Sequence, residues 1–249
     1  MAAPVFFVDP GNEPDADGVV RIAGDEARHA SQVVRLRAGE RVDLVDGAGR
    51  RYEGTVLSAS RDRLEVAVDH IVDEPDPAPR IVVVQALAKG DRGEQAVAAM
   101  TEVGVDVIVP WSAQHGITQW SGDKAQRGVE KWRATARASA KQARRSRVPD
   151  VLPLHSTADL DARLAHAALV ICLDESSSEP LAGFDIPATG DVVLIVGPEG
   201  GLSDSERAHL TGLGARLARL GPTVLRTSTA GPVGAAVVLA RSPRWGASA

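Results

Sequence analysis

The sequence predicts an α/β fold in two domains, and a change in the pattern of the chain supports that prediction. The segment 72–80 holds three prolines and three acidic residues, which stiffen the backbone and favour an extended linker. Before this segment, short strands alternate with turn residues. After it, continuous apolar runs alternate with helical segments, as in an α/β domain. We therefore place one domain at 1–74 and the other at 75–249.

The first domain has the pattern of a small β-barrel. One short helix is expected near 25–35, and Asp-Gly and Ser-Arg-Asp breaks separate the strand candidates, as in hairpins. The strands are expected at 5–8, 41–45, 52–57 and 63–68. Short hairpin strands of this kind are typical of a small barrel.

The second domain has the pattern of a largely parallel sheet covered by helices. Its apolar runs are continuous, which is typical of strands buried on both faces. The strands are expected at 81–87, 105–109 (ended by Pro110), 169–173, 192–196 and 215–220. The helices are expected at 93–103, 124–147 (stopped by Pro149), 204–213 and 232–241.

Bulk composition excludes several classes of protein. The formal net charge is −5, so a nucleic-acid partner would have to meet a local basic patch. A single cysteine, Cys172, excludes a disulfide within the chain and fits a reducing cytoplasm. No apolar stretch approaches the roughly 20 residues that cross a bilayer, and we expect no membrane association. No cluster of metal-ligating residues is visible, so no metal is expected.

The loop Gly197-Pro198-Glu199-Gly200-Gly201 follows an apolar strand, where ligands of parallel sheets bind. Ser203 and Glu206 have capping-box spacing, so a helix is expected to begin there. The Gly-Lys-Ser/Thr ending of phosphate loops is absent, and the acidic residues would repel phosphate. The residues alone favour a neutral or cationic ligand, but a tight turn without a ligand stays open.

A second loop, 220–230, repeats this arrangement, with Gly-Pro after a strand and a Ser/Thr-rich segment before a helix. The helix that follows, 231–238, is built of small residues that allow close backbone approach. A threaded chain, a tight helix contact, a subunit interface and ordinary core packing all fit this composition.

Basic residues are concentrated in 124–147, where nine Lys and Arg stand against Glu130 alone. Such a surface suits phosphate contacts, although a solvated helix face is the alternative. A weaker basic patch is expected on the barrel at Arg21, Arg28, Arg35 and Arg37. Aromatic residues make up only 3% of the chain, so Trp111, Trp120 and Trp132 are interpreted as core or interface residues rather than base-stacking ones.

The two loops, read as GPEGG with Ser-x-x-Glu and as LGPTVLRTSTA, resemble the SPOUT superfamily of S-adenosylmethionine-dependent RNA methyltransferases, and most of all its RsmE family. Further matching segments occur in the same order along the chain. They are His29, Val33-Val34-Arg35, Asp46-Gly47, Lys89-Gly90-Asp91-Arg92, Thr101-Glu102-Val103-Gly104-Val105, Pro110, Gln142 and Arg145. The resemblance covers nearly the whole chain.

The resemblance implies a SPOUT domain with a C-terminal trefoil knot, preceded by a PUA-like RNA-binding barrel. It implies methylation of N3 of a uridine in 16S ribosomal RNA, with S-adenosylmethionine as the methyl donor. The implied partners are the small ribosomal subunit and a second copy of the chain, bound through the knot region. Two departures from the family pattern are Ser228, where glutamate is common, and Ala143, where serine is common.

The resemblance also implies roles for particular residues. Cofactor binding is expected at Leu173, Ile195, Gly197, Pro198, Glu199, Gly200, Gly201, Leu220, Gly221, Leu225, Arg226 and Thr227. RNA binding is expected at Arg21, Arg28, Arg35, Arg37, Lys89, Arg92, Arg137, Lys141, Gln142, Arg144 and Arg145. The catalytic candidates are Arg145 and Arg226, as cations that stabilise a uridine anion, and Glu199. Glu199 and a water molecule are alternative candidates for the base.

Two other functions stay open at this point. One is a SPOUT ribose 2′-O methyltransferase, which the barrel and the RsmE-type middle segment disfavour. The other is a non-catalytic RNA-binding factor in ribosome assembly, which the intact glycine loops disfavour.

Overall fold

The computed structural model describes residues 3–9 and 11–246 and divides the chain into two compact units. The first runs to Asp76 and includes a later segment, Ala140–Val148. The second comprises Pro77–Ser139 and the chain from Pro149 onward. No pattern in the sequence indicates that 140–148 would pack with the first unit, and the domain bounds 1–74 and 75–249 stay a prediction.

A curled five-stranded sheet forms the first unit. Its strands are β1 (Val5–Phe7), β2 (Val19–Ala23), β3 (Arg41–Val45), β4 (Arg50–Ala59) and β5 (Arg63–Asp73), in the order β1-β3-β4-β5-β2. The β1–β3 pair is parallel and the other pairs are antiparallel. Two register shifts in the β4–β5 hairpin mark bulges, which bend and twist a sheet. Helix α1 (Gly24–Arg28) continues as a π-helical turn, His29–Val34, and ends at Arg35.

The segment 140–148 packs against β1 and β3 inside the first unit. Ala140 and Val148 join an apolar cluster with Val5, Phe7 and Val45. The Arg147 guanidinium donates to the Glu74 carbonyl oxygen at 2.7 Å. It lies over Gly49, where an added Cβ would come within 2.4 Å of Arg147 Nη2. Glycine is favoured at this position by its φ of +117°, and a larger residue would also displace the Arg147 guanidinium.

The second unit is a six-stranded, wholly parallel sheet. Its strands are β6 (Arg80–Ala86), β7 (Val107–Trp111), β8 (Asp150–Val151), β9 (Leu169–Leu173), β10 (Asp191–Val196) and β11 (Arg216–Ala218), in the order β11-β9-β10-β6-β7-β8. The helices are α2 (Arg92–Val103), α3 (Gly122–Gln142), α4 (Asp161–Leu164), α5 (Asp204–Gly212) and α6 (Thr227–Ala240). The central strands β6 and β10 are buried almost throughout, as their continuous apolar runs predict.

Several boundaries differ from the sequence-based prediction. Strand β7 continues through Pro110 to Trp111. The Pro110 carbonyl accepts from His155 N at 2.9 Å, on the side where β8 has already ended at Val151, so the missing amide costs no ladder bond with β8. Helix α3 ends at Gln142 rather than at residue 147, since Arg144 turns to the left-handed conformation with φ of 56°.

Two further differences lie at the ends of the chain. Helix α6 begins at Thr227, so Pro232 lies inside the helix and not at its start, where the sequence predicted it. Strand β2 was missed, although Asp17-Gly18 before it and Gly24 after it are turn signals that bound the short apolar run. None of the helices in the described residues is long and apolar enough to cross a membrane.

The sheet reverses its direction of growth between β6 and β10. The chain runs from β6 outward to β7 and β8, and then returns to build β9, β10 and β11 on the other side. Ligands of open α/β sheets bind outside the carboxyl ends of strands at such a point. The loops that follow β9, β10 and β11 therefore meet at one edge of the second unit.

The small residues of α6 make a tight helix contact. A Cβ on Gly231 would lie 2.7 Å from Gln85 Oε1 and 3.1 Å from Met100 Sδ. We expect Gly231→Ala to lower the free energy of unfolding by about 1–3 kcal/mol through overpacking, measured by urea denaturation. Gly212→Ala is the matched control, because a Cβ there meets nothing within 4 Å. Equal stability of the two variants would contradict this packing.

Candidate functional site

A cleft of about 660 Å³ opens at the carboxyl edge of the sheet, within the range of small-molecule sites. The segments that follow β9, β10 and β11, together with the first turn of α6, form its walls. Its lining combines apolar side chains, such as Leu173 and Leu225, with the backbone of two Gly-Pro loops. The cleft lies wholly within the second unit.

The first loop is a tight turn in which Gly201 N donates to Pro198 O at 2.9 Å, and Gly201 has a φ of +71°. Gly200 lies against His115, and a Cβ at Gly200 would come within 3.1 Å of His115 Cβ and 3.2 Å of its carbonyl oxygen. Gly197 is less constrained, since a Cβ there would make ordinary contact with Leu202 at 3.5 Å. Only the later glycines are thus required by conformation or space.

The second loop is connected to the first through Thr227. Its hydroxyl donates to the Gly197 carbonyl oxygen at 3.1 Å. The Thr227 carbonyl in turn accepts from Nε2 of Gln85, a fully buried side chain of β6, at 3.2 Å. These bonds join the central strand, the turn after β10 and the start of α6, and they fix the width of the cleft between the two loops.

Helix α5 begins with the capping box that the sequence predicts. Ser203 Oγ accepts from Glu206 N at 3.1 Å, and Glu206 Oε2 accepts from Ser203 N at 3.1 Å. Glu206 is buried, and its other oxygen accepts from Gln114 N at 2.7 Å. The cap therefore also anchors the loop that follows β7, beside the cleft.

The charges of the cleft are unsuited to a phosphate loop. Its described lining contains no lysine, and Asp174, only 5% exposed, forms an ion pair with Arg207. Glu199 is 28% exposed and lies 3.9 Å from Arg92. Arg219 and Arg226 are exposed at the rim. The described lining thus combines three acidic residues with three arginines and has no lysine, which differs from a phosphate loop.

The structure brings together most of the residues predicted to bind the cofactor. All of them line the cleft except Ile195, whose side chain is fully buried in the core cluster of the sheet. Side chains of a strand alternate between faces, so Val196 reaches the cleft instead. Glu199 and Arg226 line the cleft, whereas Arg145 belongs to the first unit.

Sequence reasoning missed the wall that follows β9. This wall contributes Asp174, Glu175 and Ser176 to the lining, and α5 contributes Arg207. The signal was present, because Asp-Glu-Ser-Ser-Ser directly follows the buried run Leu169–Leu173, at the carboxyl end of a parallel strand. Among the described residues, no group of three or more His, Cys, Asp and Glu could hold a metal ion.

The residues predicted to bind RNA are spread over both units, and several have partners in the protein. Lys141 is only 16% exposed, and its ammonium donates to Glu26 Oε2 at 2.6 Å and lies over the Phe6 ring. Arg21 pairs with Asp15 and Glu65, and Arg28 pairs with Asp25. The exposed ones are Arg35, Arg37, Lys89, Arg137, Gln142 and Arg144. Arg92 and Arg145 are partly exposed.

Two family models match the chain. One is described as an RNA methyltransferase domain and matches 74–239, and the other is described as an RNA methyltransferase PUA domain and matches 22–69. The chain is 40% identical to the ribosomal RNA small subunit methyltransferase E of Mycobacterium bovis, over 100% of this chain and 96% of the relative. The enzyme of the same name from Bacillus subtilis is 29% identical, over 84% and 85% of the two chains.

A solved structure shows the same fold. It is a ribosomal RNA small subunit methyltransferase E from Neisseria gonorrhoeae bound to S-adenosyl methionine, with a TM-score of 0.81 and 24% identity. The match covers 96% of this chain and 97% of that one.

Cys172 is fully buried one residue before the cleft wall, and burial raises the pKa of its thiol to about 12. The reactive thiolate is thus disfavoured throughout the physiological pH range. We expect no reaction of the native protein with Ellman's reagent at pH values near 9, where an ordinary thiol with a pKa of about 8.5 is mostly ionised. The same protein in denaturant should release the full thiol signal. Rapid native labelling would contradict the buried position.

Proposed function

The chain belongs to the ribosomal RNA small subunit methyltransferase E family, and on that basis we propose that it methylates N3 of a uridine in 16S ribosomal RNA with S-adenosylmethionine as donor. The observation that carries the proposal is the cleft that the two Gly-Pro loops form together, with Glu199 where a phosphate loop would have lysine. We assign the reaction to the cytoplasm, because its substrate is ribosomal RNA.

The residues of the cleft fit S-adenosylmethionine. The molecule carries a sulfonium cation and no phosphate, so it does not need the lysine that this lining lacks, and the carboxylates of Glu175 and Glu199 are compatible with its positive charge. The backbone of 197–201 and 220–226 offers amides and carbonyls to adenine and ribose, between the apolar side chains of Leu173 and Leu225. A volume of about 660 Å³ accommodates a ligand of this size.

When bound, S-adenosylmethionine supplies a methyl carbon that is open to in-line attack. The chain must hold the uracil ring in line with that carbon, and positioning supplies much of the rate. N3 must lose its proton before it attacks. We assign stabilisation of the resulting uridine anion to the Arg226 guanidinium at the rim, with Arg145 as a second substrate contact. Glu199 or a water molecule accepts the proton.

The first unit is proposed to bind RNA. The match to an RNA methyltransferase PUA domain over 22–69 supports this role. Its exposed cations Arg35, Arg37 and Arg144 are the phosphate contacts that we propose, because Arg21 and Lys141 already have acidic partners.

We further propose that the chain forms a trefoil knot in the region of these two loops, with one segment threaded through a loop. We also propose that two copies of the chain associate at this region. The dense contact of 227–231 with β6 and β10 supports a threaded arrangement. Two exposed apolar side chains, Val224 at 75% and Val233 at 38%, support an interface formed by the second loop and α6.

Methyl transfer to defined ribosomal RNA tests the proposed function. Purified protein is incubated with tritiated S-adenosylmethionine and small subunits from a strain that lacks this gene, and the RNA is digested to nucleosides. The expected product is 3-methyluridine. A 2′-O-methylated nucleoside would assign the chain to the ribose methyltransferases, and the absence of transfer would favour a non-catalytic assembly factor.

Gly197→Trp should abolish cofactor binding, because the indole would occupy the cleft between the two loops. Gly197→Ala is the matched control, since its methyl group would only contact Leu202 at 3.5 Å. We expect calorimetry to show S-adenosylmethionine binding by the wild type and the alanine variant, with no measurable heat from the tryptophan variant. Undiminished binding by Gly197→Trp would place the cofactor elsewhere.

Arg144→Gln should weaken RNA binding without changing cofactor binding, because Arg144 is exposed in the first unit and the cleft lies in the second. A plot of the logarithm of the RNA association constant against the logarithm of the salt concentration has a negative slope. The magnitude of that slope should decrease by about one if a single phosphate contact is lost. Arg61→Gln, an exposed cation in the β4–β5 hairpin, is the control. An unchanged slope would remove Arg144 from the RNA contacts.

A further inference from the structure

A second cavity, of about 220 Å³, lies in the second unit among elements that the cofactor cleft does not use. It is formed by the start of α2, the loop after β7 and the first turns of α3. Its principal lining residues are Gly90, Glu94, Trp120, Lys124, Arg127 and Lys131. At about 30 Å³ per water molecule, the space equals about seven waters, which suits one heteroaromatic ring rather than a whole cofactor.

The aromatic wall of this cavity is held in place by two glycines. A Cβ on Gly128 would lie 2.7 Å from the Trp120 ring, and one on Gly93 would lie 2.9 Å from the Trp132 ring. The two indoles pack edge to face with ring centroids 5.4 Å apart. Trp132 is buried, whereas Trp120 is partly exposed. Trp120 is therefore a supported, partly exposed indole at the edge of a cavity.

The polar groups around Trp120 are incompletely satisfied. Lys124 and Arg127 are exposed and form no ion pair within the described part of the chain. Glu94 Oε1 pairs with Lys131 at 2.8 Å, but Glu94 Oε2 is buried without a hydrogen-bond partner. A buried acceptor of this kind favours a ligand that brings an N–H donor. A partly exposed indole, two cations without an ion pair among the described residues and one free acceptor together match a nucleobase with its phosphate.

The cavity and the cofactor cleft lie at the same edge of the sheet. The loop after β6 contributes Gly90, and the loop after β10, which pairs with β6, contributes Glu199 to the cleft. Arg92, between them, lies 3.9 Å from Glu199. The loop after β7, which carries Trp120, contacts the cleft at Gly200 through His115. A nucleotide in the cavity would thus be a near neighbour of a base presented to the cleft.

We propose that this second cavity binds one nucleotide of the RNA substrate that flanks the methylated uridine. The base stacks on Trp120 and donates an N–H to Glu94, and its phosphate binds Lys124 and Arg127. The assignment rests on the proposed RNA methyltransferase function. It would explain how a protein with few aromatic residues and a net negative charge positions its RNA target.

Fluorine NMR of protein labelled with 5-fluorotryptophan tests the proposal directly. The Trp120 resonance is assigned with Trp120→Phe, and the probes are a short single-stranded oligouridylate, a mixed-sequence oligoribonucleotide and S-adenosylmethionine. We expect at least one RNA to shift the Trp120 resonance and S-adenosylmethionine alone to leave it in place. If only S-adenosylmethionine moves it, or no RNA does, the cavity is not a nucleotide site.

A second experiment reverses the charges of Lys124 and Arg127 and leaves the Trp120 indole in place. The double variant Lys124→Glu, Arg127→Glu should bind 16S ribosomal RNA about tenfold or more weakly and raise the KM for RNA, with S-adenosylmethionine affinity unchanged. Arg61→Glu, outside the cavity, should bind RNA like the wild type. Wild-type RNA affinity in the double variant would overturn the proposal.

The two proposals fail in different ways. The proposed function would be refuted if the wild-type protein neither transferred a methyl group to RNA nor bound S-adenosylmethionine. Normal methyl transfer combined with an unresponsive Trp120 and an unaffected double variant would refute the nucleotide site alone.

Discussion

The hydrogen bond from the Thr227 hydroxyl to the Gly197 carbonyl is the contact on which the site depends, together with the bond from Gln85 to the Thr227 carbonyl. Gln85 is a fully buried polar residue on a central strand of an apolar sheet. Its Nε2 donates to the Ala86 carbonyl at 3.3 Å and to the Thr227 carbonyl at 3.2 Å, and the second bond joins β6 to the first residue of α6. That in turn places the second loop against the first and forms one cleft from two distant segments.

Electrostatics then selects the ligand class of the cleft. The helix start after the first loop could hold an anion, but its cap is occupied by Glu206, and Asp174 and Glu199 face the same space. The arginines lie at the rim or pair with those carboxylates. A cationic methyl donor inside and an anionic RNA outside satisfy both sets of charges in an acidic protein.

Much of this arrangement could be predicted from the sequence, because continuous apolar runs and capping residues act locally. The strands 41–45 and 169–173 and the helix start at Ser203 were predicted correctly. What could not be predicted depends on contacts between distant residues. Pro110 continues a strand because its neighbour ends first, and Ile195 faces the core because of strand alternation. The position of Trp120 depends on Gly128, whose contact with the indole no periodicity reveals.

Hydrogen–deuterium exchange with and without S-adenosylmethionine tests the central claim, that one ligand is bound by both loops at once. The account predicts slowed exchange in 197–202 and in 219–227 together, at the same ligand concentration, with no change in the first unit. Protection of one segment alone, or of neither, would contradict a single cleft built from the two loops.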